Sequence, residues 1–167
     1  LSIDNPRNIT TVRNEYDEKG RIIRQDFPDG GWMTYRYDHE KRRTELTERN
    51  GAKITYLHDE LGRHIATTDE AGTVRYTYSK HNMKSSITDR RGNTTKYLYD
   101  DKGNLTAVVN ALGNKTRFTY NAESKISVVK NPLGAKTTYR YDTSGRLMEI
   151  KNALGEKTGF AYDSEGN

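Results

Sequence analysis

The sequence contains no cysteine in 167 residues, and only 32% of its residues are apolar. Without cysteine, neither a disulfide framework nor a thiolate metal site is available. The mean hydropathy is −1.04, and no apolar run approaches the ~20 residues that cross a bilayer. A compact globule of this length buries roughly 70% of its unfolded surface, which this composition cannot supply comfortably. The composition therefore favours a thin sheet with two wetted faces.

The amino-terminal segment lacks the basic and apolar regions of a secretory signal peptide. Its Asn5-Pro6-Arg7-Asn8 sequence echoes Asn131-Pro132-Leu133-Gly134, and the chain stops at Gly166-Asn167, within another turn pattern. We therefore expect the chain to begin and end inside repeats and to be a fragment of a longer polypeptide.

The charge balance is basic, with 28 Lys and Arg against 23 Asp and Glu, a net charge of +5. Such a balance can attract nucleic acid or an anionic surface. The cations are spread over the whole chain, however, and cluster only at Lys41-Arg42-Arg43 and Arg90-Arg91. A solvated surface is the favoured interpretation, and no nucleic-acid partner is expected.

The sequence is rich in tyrosine, with 12 residues, and many of them recur at a regular spacing. The anchor positions of this period are Tyr16, Tyr37, His58, Tyr78, Tyr99, Tyr120, Tyr141 and Tyr162. Successive anchors are separated by 21 residues, except for one step of 20. A fixed period indicates one small unit copied many times, which must stack on its neighbours to bury a face. We count about seven repeats over residues 1–167, with partial repeats at both ends.

Each repeat contains two turn signals. The first is Asp-x-x-Gly directly after the anchor, as in Asp17 to Gly20, and the second ends in a glycine fourteen residues after the anchor, as in Asn131 to Gly134. Asp or Asn first and Gly fourth is typical of a type I turn whose last residue needs positive φ. Asn82 in the glycine position can still adopt this conformation, whereas Lys41 and Ser124 predict looser turns.

Between the turns lie two segments of strand length. In the segment that ends at Tyr141, residues Thr137, Tyr139 and Tyr141 alternate with Lys136, Thr138 and Arg140. This period of two is typical of a half-buried strand. Two turns and two strands per repeat predict an all-β fold, an antiparallel β-hairpin meander. Because twist accumulates at roughly 20–25° per strand, we expect the sheet to curl into a spiral or shell segment.

The pattern Tyr-Asp-x-x-Gly-Arg/Asn-Leu, followed by Asn-x-Leu-Gly-x-x-Thr-x-Tyr/Phe-x-Tyr, resembles the YD repeats of Rhs proteins, which Tc-toxin shell components and animal teneurins share. The resemblance covers nearly the whole chain. The repeats at Tyr37 and Tyr78 depart from it at the Gly and Leu positions.

The resemblance implies a non-catalytic wall segment of a cocoon that encapsulates a C-terminal toxin for delivery to competing or host cells. Its implied partners are the remainder of the Rhs shell, the enclosed toxin domain, and secretion machinery or a chaperone. It further implies a secreted or cell-surface bacterial effector, often of type VI secretion and interbacterial competition. Because a short array leaves bare edge strands, we also expect an oligomer formed through those edges.

No catalytic, cofactor-binding or metal-binding residues are predicted, and no cofactor. Nucleophile-elbow, zinc-protease and phosphate-loop motifs are missing. The histidines His39, His58, His64 and His81 occupy different repeat positions, which favours a structural role. The turn aspartates are expected to accept backbone N–H bonds, since their loops supply too few oxygens for Ca²⁺.

A carbohydrate-binding or adhesive surface module is the alternative function, because tyrosine and arginine in register can stack on sugars. The two interpretations differ in where the tyrosines point. Packing tyrosines lie between neighbouring repeats, whereas a binding module presents several rings on an open groove.

Overall fold

The computed structural model describes residues 2–4 and 10–167, with side chains from residue 12 onward. The predicted half repeat at Asn5-Pro6-Arg7-Asn8 lies outside the described residues. The chain divides into two compact units. Unit 1 comprises Leu1–Thr77 and Thr88–Gly92, and unit 2 comprises Tyr78–Ile87 and Asn93–Asn167.

The described residues form β-strands joined by turns and contain no helix, and strand order follows chain order. The strands are β1 (Ser2–Asp4), β2 (Thr10–Tyr16), β3 (Ile22–Asp26), β4 (Trp32–Asp38), β5 (Arg43–Thr47), β6 (Lys53–His58), β7 (His64–Asp69), β8 (Gly72–Tyr78), β9 (Lys84–Thr88), β10 (Thr94–Tyr99), β11 (Leu105–Val109), β12 (Lys115–Tyr120), β13 (Ile126–Lys130), β14 (Lys136–Tyr141), β15 (Leu147–Lys151) and β16 (Lys157–Gly159). Strands β1 to β8 pair antiparallel with their chain neighbours, as do β10 to β16. The predicted all-β hairpin meander is confirmed.

The first turn of a repeat follows the anchor and is closed by a β-bulge. In the hairpin of β10 and β11, the register shifts between Leu98 and Tyr99, so that Tyr99 faces Leu105. The Gly103 N–H donates to the Asp100 carbonyl at 3.0 Å, and Gly103 has φ of 86°. The predicted type of turn, with positive φ at its fourth residue, is confirmed.

The prediction of looser turns at Lys41 and Ser124 is wrong. Ser124 adopts φ of 59°, and its N–H donates to the Asn121 carbonyl at 3.1 Å, as in the glycine turns. At the other position the turn moves by one residue, and Arg42 rather than Lys41 takes positive φ, at 48°. The strands there pair without a bulge as far as Asp38 and Arg43. Each change keeps the backbone hydrogen bonds closed, which outweighs the cost of a left-handed non-glycine residue.

The second turn explains the single short step of the period. Five residues separate Asp26 from its partner Trp32, but only four separate Thr68 from its partner Thr73. Gly72 itself joins the ladder opposite Asp69, so β7 and β8 are connected by a two-residue loop. One residue is therefore missing after the glycine, and the anchor spacing falls from 21 to 20.

Cross-strand register divides each unit into two faces. The tyrosine face contains the anchors and the residues two and four positions before them, where Tyr35 pairs with Leu46 and Tyr139 with Ile150. The opposite face contains the alternate residues, such as Arg140, which pairs with Glu149. The predicted alternation in β14 is confirmed.

The buried core is very small. Among residues 12–167, only the apolar side chains of Leu46, Ala66 and Ala107 and the polar side chain of Asn14 are buried, with 2–9% of their surface exposed. The tyrosines are half-buried rather than enclosed, except Tyr16, which is exposed. Stability therefore depends on backbone ladders and cross-strand contacts repeated along the chain.

Candidate functional site

The anchor tyrosine binds the preceding repeat through its hydroxyl group. The Tyr120 hydroxyl donates to the carbonyl of Leu105 at 2.8 Å, and the Tyr141 hydroxyl donates to the carbonyl of Ile126 at 2.9 Å. The same bond, always to the residue fifteen positions earlier, is made by Tyr37, Tyr99 and Tyr162. We call this hydrogen bond the tyrosine clasp.

The β-bulge determines which backbone carbonyl accepts the hydrogen bond of the clasp. Leu105 and Ile126 are the first residues of β11 and β13, directly beyond the register shift at the preceding anchor. A bulge disrupts the local ladder and leaves a backbone group in need of another partner. The clasp supplies that partner from the next repeat. A phenylalanine would fill the same space without joining the two repeats.

The aspartate after the anchor organises the first turn. The Asp17 carboxylate accepts hydrogen bonds from the backbone N–H groups of Lys19 and Arg21, both at 2.9 Å. Its second oxygen accepts from Nε of Arg21 at 2.7 Å. Asp59 and Asp142 each hold the arginine four residues later in the same way. The predicted role of the turn aspartates as acceptors of backbone N–H bonds is confirmed.

The arginine of this turn also reaches the next repeat. The Arg21 guanidinium carbon lies 4.2 Å from the ring centroid of Tyr37, and that of Arg146 lies 4.9 Å from Tyr162. Where lysine replaces arginine, Lys125 Nζ lies 5.5 Å from the Tyr141 ring and donates to the Gly145 carbonyl at 2.6 Å. A cation over a tyrosine face is attracted by the ring quadrupole. Aspartate, cation and following tyrosine thus form a second link between repeats.

These contacts set the protonation states of the unit. The backbone hydrogen bond from Arg21, followed by that residue's side chain, holds the pKa of Asp17 below its usual value. At Asp59 the Arg63 side chain is the main cause of the lowered pKa. Burial raises the pKa of Tyr37 and Tyr120. At neutral pH the aspartates are ionised hydrogen-bond acceptors and the tyrosines are neutral donors, as the clasp and turn require.

The histidines gather partly around one irregular repeat in unit 1. The His64 ring centroid lies 5.8 Å from His58 and 5.0 Å from Tyr76, and its Nε2 lies 2.8 Å from the Thr67 hydroxyl. An open hollow of about 400 Å³ beside His58 is lined by charges of both signs, including Arg43 and Asp59. The structural role predicted for the histidines stays a prediction.

No group of three or more His, Asp or Glu side chains in the described part of the chain has the arrangement to hold a metal ion. No helix there is long and apolar enough to cross a membrane. The arrangement that the described residues do show is the clasp, a linkage between repeats rather than a convergence of reactive groups.

Two features of this arrangement are missing from the sequence-based expectations. The pattern predicted tyrosines that pack, but not that their hydroxyl groups bind the carbonyl fifteen residues earlier. The cations are also not evenly spread, since Lys115, Lys136 and Lys157 recur at one repeat position. The recurrence was a visible signal, although their common face depends on strand register.

Comparison with known families and structures places the repeat. A family model described as RHS Repeat matches residues 16–53, 58–94, 99–135, 125–157 and 141–167. Among curated proteins, no sequence matches the chain.

Solved structures share the fold. The chain is similar to a crystal structure of TcdB2-TccC3-TEV, with a TM-score of 0.73 and 15% identity over 93% of this chain and 10% of that one. It is similar to TcdB2-TccC3 without its hypervariable C-terminal region, with a TM-score of 0.72 and 15% identity over 93% of this chain and 10% of that one. A Photorhabdus luminescens Tc holotoxin pore with mutated TccC3 gives a TM-score of 0.69 and 15% identity, over 89% and 9%. The chain spans about a tenth of the length of these structures.

Proposed function

The chain belongs to the RHS repeat family, and from this premise we propose that it is a structural segment of an Rhs-type shell that encloses another polypeptide. In this role the repeats form part of the shell wall and catalyse no reaction. The likeness in fold to TcdB2-TccC3 structures supports the proposal.

The tyrosine clasp is the observation that carries the proposal. At five anchors the tyrosine hydroxyl is bound to the backbone of the preceding repeat, at 2.8–2.9 Å. A hydroxyl used in this way has no proton left to donate to a sugar, and the rings of these five tyrosines are half-buried in the sheet. The geometry therefore favours the packing interpretation over the carbohydrate-binding or adhesive module.

The finer proposal concerns the enclosed polypeptide and its route. We propose that it is a toxin domain, delivered by a secreted or cell-surface bacterial effector to competing or host cells, with type VI secretion as one route. The partners are then the rest of the shell, the toxin, and secretion machinery or a chaperone. Among the described residues β16 is paired with β15 alone, and this edge supports association of the isolated chain through its edge strands.

Electron cryomicroscopy of the full natural product of the gene that encodes this sequence tests the proposal. We expect a closed β-shell around internal density, and a cargo segment that resists protease until the shell is opened. A glycan array with the 167-residue chain is the matched test of the alternative. Selective glycan binding by an open array without enclosed density would overturn the shell proposal.

A further inference from the structure

The opposite face of unit 2 carries a surface of cations with almost no acids. Its charged side chains on β10 to β16 are Lys96, Lys115, Arg117, Lys130, Lys136, Arg140, Lys151 and Lys157, with Glu149 as the only carboxylate that the register places among them. We call these eight residues the cation face. The sequence spreads them along the chain, but strand pairing brings them to one side.

The register sets several of these cations directly against one another. Lys130 on β13 is paired with Arg117 on one side and with Lys136 on the other. Residues paired in this way have Cβ atoms ~4.5–5.5 Å apart, and like charges at this separation are destabilising. Lys151 and Lys157 form a further pair of cations in the same register. The arrangement costs folding stability in the isolated chain.

Little within the described residues offsets this repulsion. The ion pair on this face joins Lys157 to Glu149 at 3.0 Å. In contrast, Arg146 in the first turn after β14 is paired with Asp142 at 2.7 Å. A cluster of cations without carboxylate partners lowers its energy when an anion binds.

A groove adjoins these cations between two second turns. The open groove, of about 550 Å³, is lined by Ala135 and Lys136 on one side and by Lys151, Ala153 and Leu154 on the other. Leu154, together with Leu112 and Leu133 at the equivalent turn positions, is 85–94% exposed. The groove therefore places the ammonium groups of Lys136 and Lys151 beside apolar surface. Its volume is large enough for amino-acid side chains.

We propose that the cation face of unit 2 is a docking surface for an acidic polypeptide segment that carries interspersed apolar residues. Carboxylates bind across the cation face, and the apolar side chains lie in the groove against Leu154. This inference does not depend on whether the array encloses a toxin.

Two other anionic partners fit less well. Single-stranded nucleic acid binds through aromatic side chains that stack on bases, but the aromatic residues of β10 to β16 lie on the tyrosine face. An anionic membrane contacts cations close to inserted apolar tips, whereas Arg117 and Arg140 lie in mid-strand, away from the leucine tips. A concave groove also suits side chains better than a flat layer of headgroups.

Fluorescence anisotropy with the 167-residue chain tests the proposal. The probe is a labelled synthetic peptide of repeated Glu-Ser-Leu-Glu, and its control replaces every Glu with Gln. We expect saturable binding of the Glu peptide alone. The affinity should fall steeply from about 0.1 M to about 1 M salt, which shortens the Debye length from ~10 Å to ~3 Å.

A matched pair of variants locates the binding surface. Lys136→Glu reverses a charge within the cation face, whereas Lys53→Glu reverses the lysine at the same repeat position in unit 1, where its partner is Thr47. We expect Lys136→Glu to weaken peptide binding about fivefold and Lys53→Glu less than about twofold. Circular dichroism melting that shows neither variant to be less stable than the parent chain separates loss of binding from loss of fold.

Competition experiments decide between the partners. Phosphatidylserine vesicles and oligo-dT are each titrated against the bound Glu peptide, and we expect both to compete only weakly. Equal binding of the Gln peptide, equal effects of the two lysine variants, or stronger binding of either competitor would overturn the proposal.

Discussion

The opposite faces of units 1 and 2 share one scaffold but carry different charge arrangements. In unit 1 the cations Arg13, Arg24, Arg36, Arg43, Lys53 and Arg75 share their face with the acids Glu15, Asp26, Asp38 and Glu45. Arg24 pairs with Asp26 at 2.8 Å. In unit 2 eight cations share the face with one acid. Because backbone register and clasps recur in both units, the fold does not dictate these charges.

The second turns of the two units also differ in the residue that precedes their glycine. In unit 1 the residue before the tip glycine is Asp29, Asn50, Ala71 or Arg91, and in unit 2 it is Leu112, Leu133 or Leu154. The unit 1 tips are joined by ion pairs between repeats, of Arg49 with Asp29 and of Arg90 with Asp69. The second turns of unit 1 thus contain ion pairs between repeats, whereas those of unit 2 present exposed leucines. This difference between the units is the one that the proposed docking surface on unit 2 requires.

Acidification should produce the largest difference between the units. Carboxylates with lowered pKa are Asp17, Asp29, Asp38, Asp59 and Asp69 in unit 1, against Asp100, Asp142, Glu149 and Asp163 in unit 2. A carboxyl group whose pKa is lower in the folded state stabilises the fold above its usual pKa. That stability is lost as the pH falls through the lowered value.

Three of these aspartates lie in the first turns of each unit, so the units differ in their second turns, where Asp29 and Asp69 of unit 1 have lowered pKa values. We therefore expect unit 1 to open first in acid. The second turns of unit 2 begin with Asn110, Asn131 and Asn152, whose amides do not titrate. Hydrogen exchange, corrected for intrinsic rates, is measured from about pH 6 to about pH 3, across the ordinary carboxyl range. We expect protection in β3 to β7 to fall at higher pH than protection in β11 to β15. Simultaneous loss in both units would contradict the comparison.

Overpacking should affect both units, with the larger cost in unit 2. Ala107 and Ala66 occupy the same repeat position, and their side chains are 2% and 9% exposed. Each is paired with a leucine and an arginine on neighbouring strands. Leucine at either position should destabilise the fold by about 1–3 kcal/mol, the usual cost of overpacking, and Ala107→Leu should cost more.

Urea denaturation checks this prediction, with the exposed Ala153→Leu as the control for added apolar surface. If Ala107→Leu were as stable as the parent chain, the buried position in the sheet would be incorrectly described.

Removing a tyrosine clasp should have a smaller effect. Tyr37→Phe in unit 1 and Tyr141→Phe in unit 2 each delete one hydroxyl donor and keep the ring. Each should cost about 0.5–1.5 kcal/mol, the net value of one hydrogen bond. Urea denaturation measures both, and Tyr139→Phe, which removes a hydroxyl at a non-anchor position, is the control. Near-equal losses at Tyr37 and Tyr141 would show that the clasp belongs to the scaffold, whereas a loss in one unit alone would limit it to that unit.

How much of this could be predicted from the sequence depends on whether the feature is local. The turns follow from Asp or Asn and Gly within four residues, and alternation within one strand separates Tyr139 from Arg140. The shift of positive φ from Lys41 to Arg42 could not be predicted, because it depends on how β4 and β5 align. The carbonyl that each clasp binds and the composition of the cation face also depend on how neighbouring strands pair. The spacing of residues along the sequence does not determine that pairing.

The smallest effect should come from relieving the repulsion around Lys130. Glutamate at this position would lie between Arg117 and Lys136 and replace two repulsive cross-strand pairs with attractive ones. We expect Lys130→Glu to stabilise the chain by a few tenths of a kcal/mol, up to ~1 kcal/mol, because cross-strand charge pairs contribute on this scale.

Lys53→Glu, opposite the uncharged Thr47, should leave the stability nearly unchanged. Thermal melting at low salt should show a higher Tm for Lys130→Glu, and the gain should shrink at high salt because exposed charges are screened. A lower Tm for Lys130→Glu would mean that the cations of unit 2 do not repel one another in the folded chain, and the contrast between the two faces would then have no energetic basis.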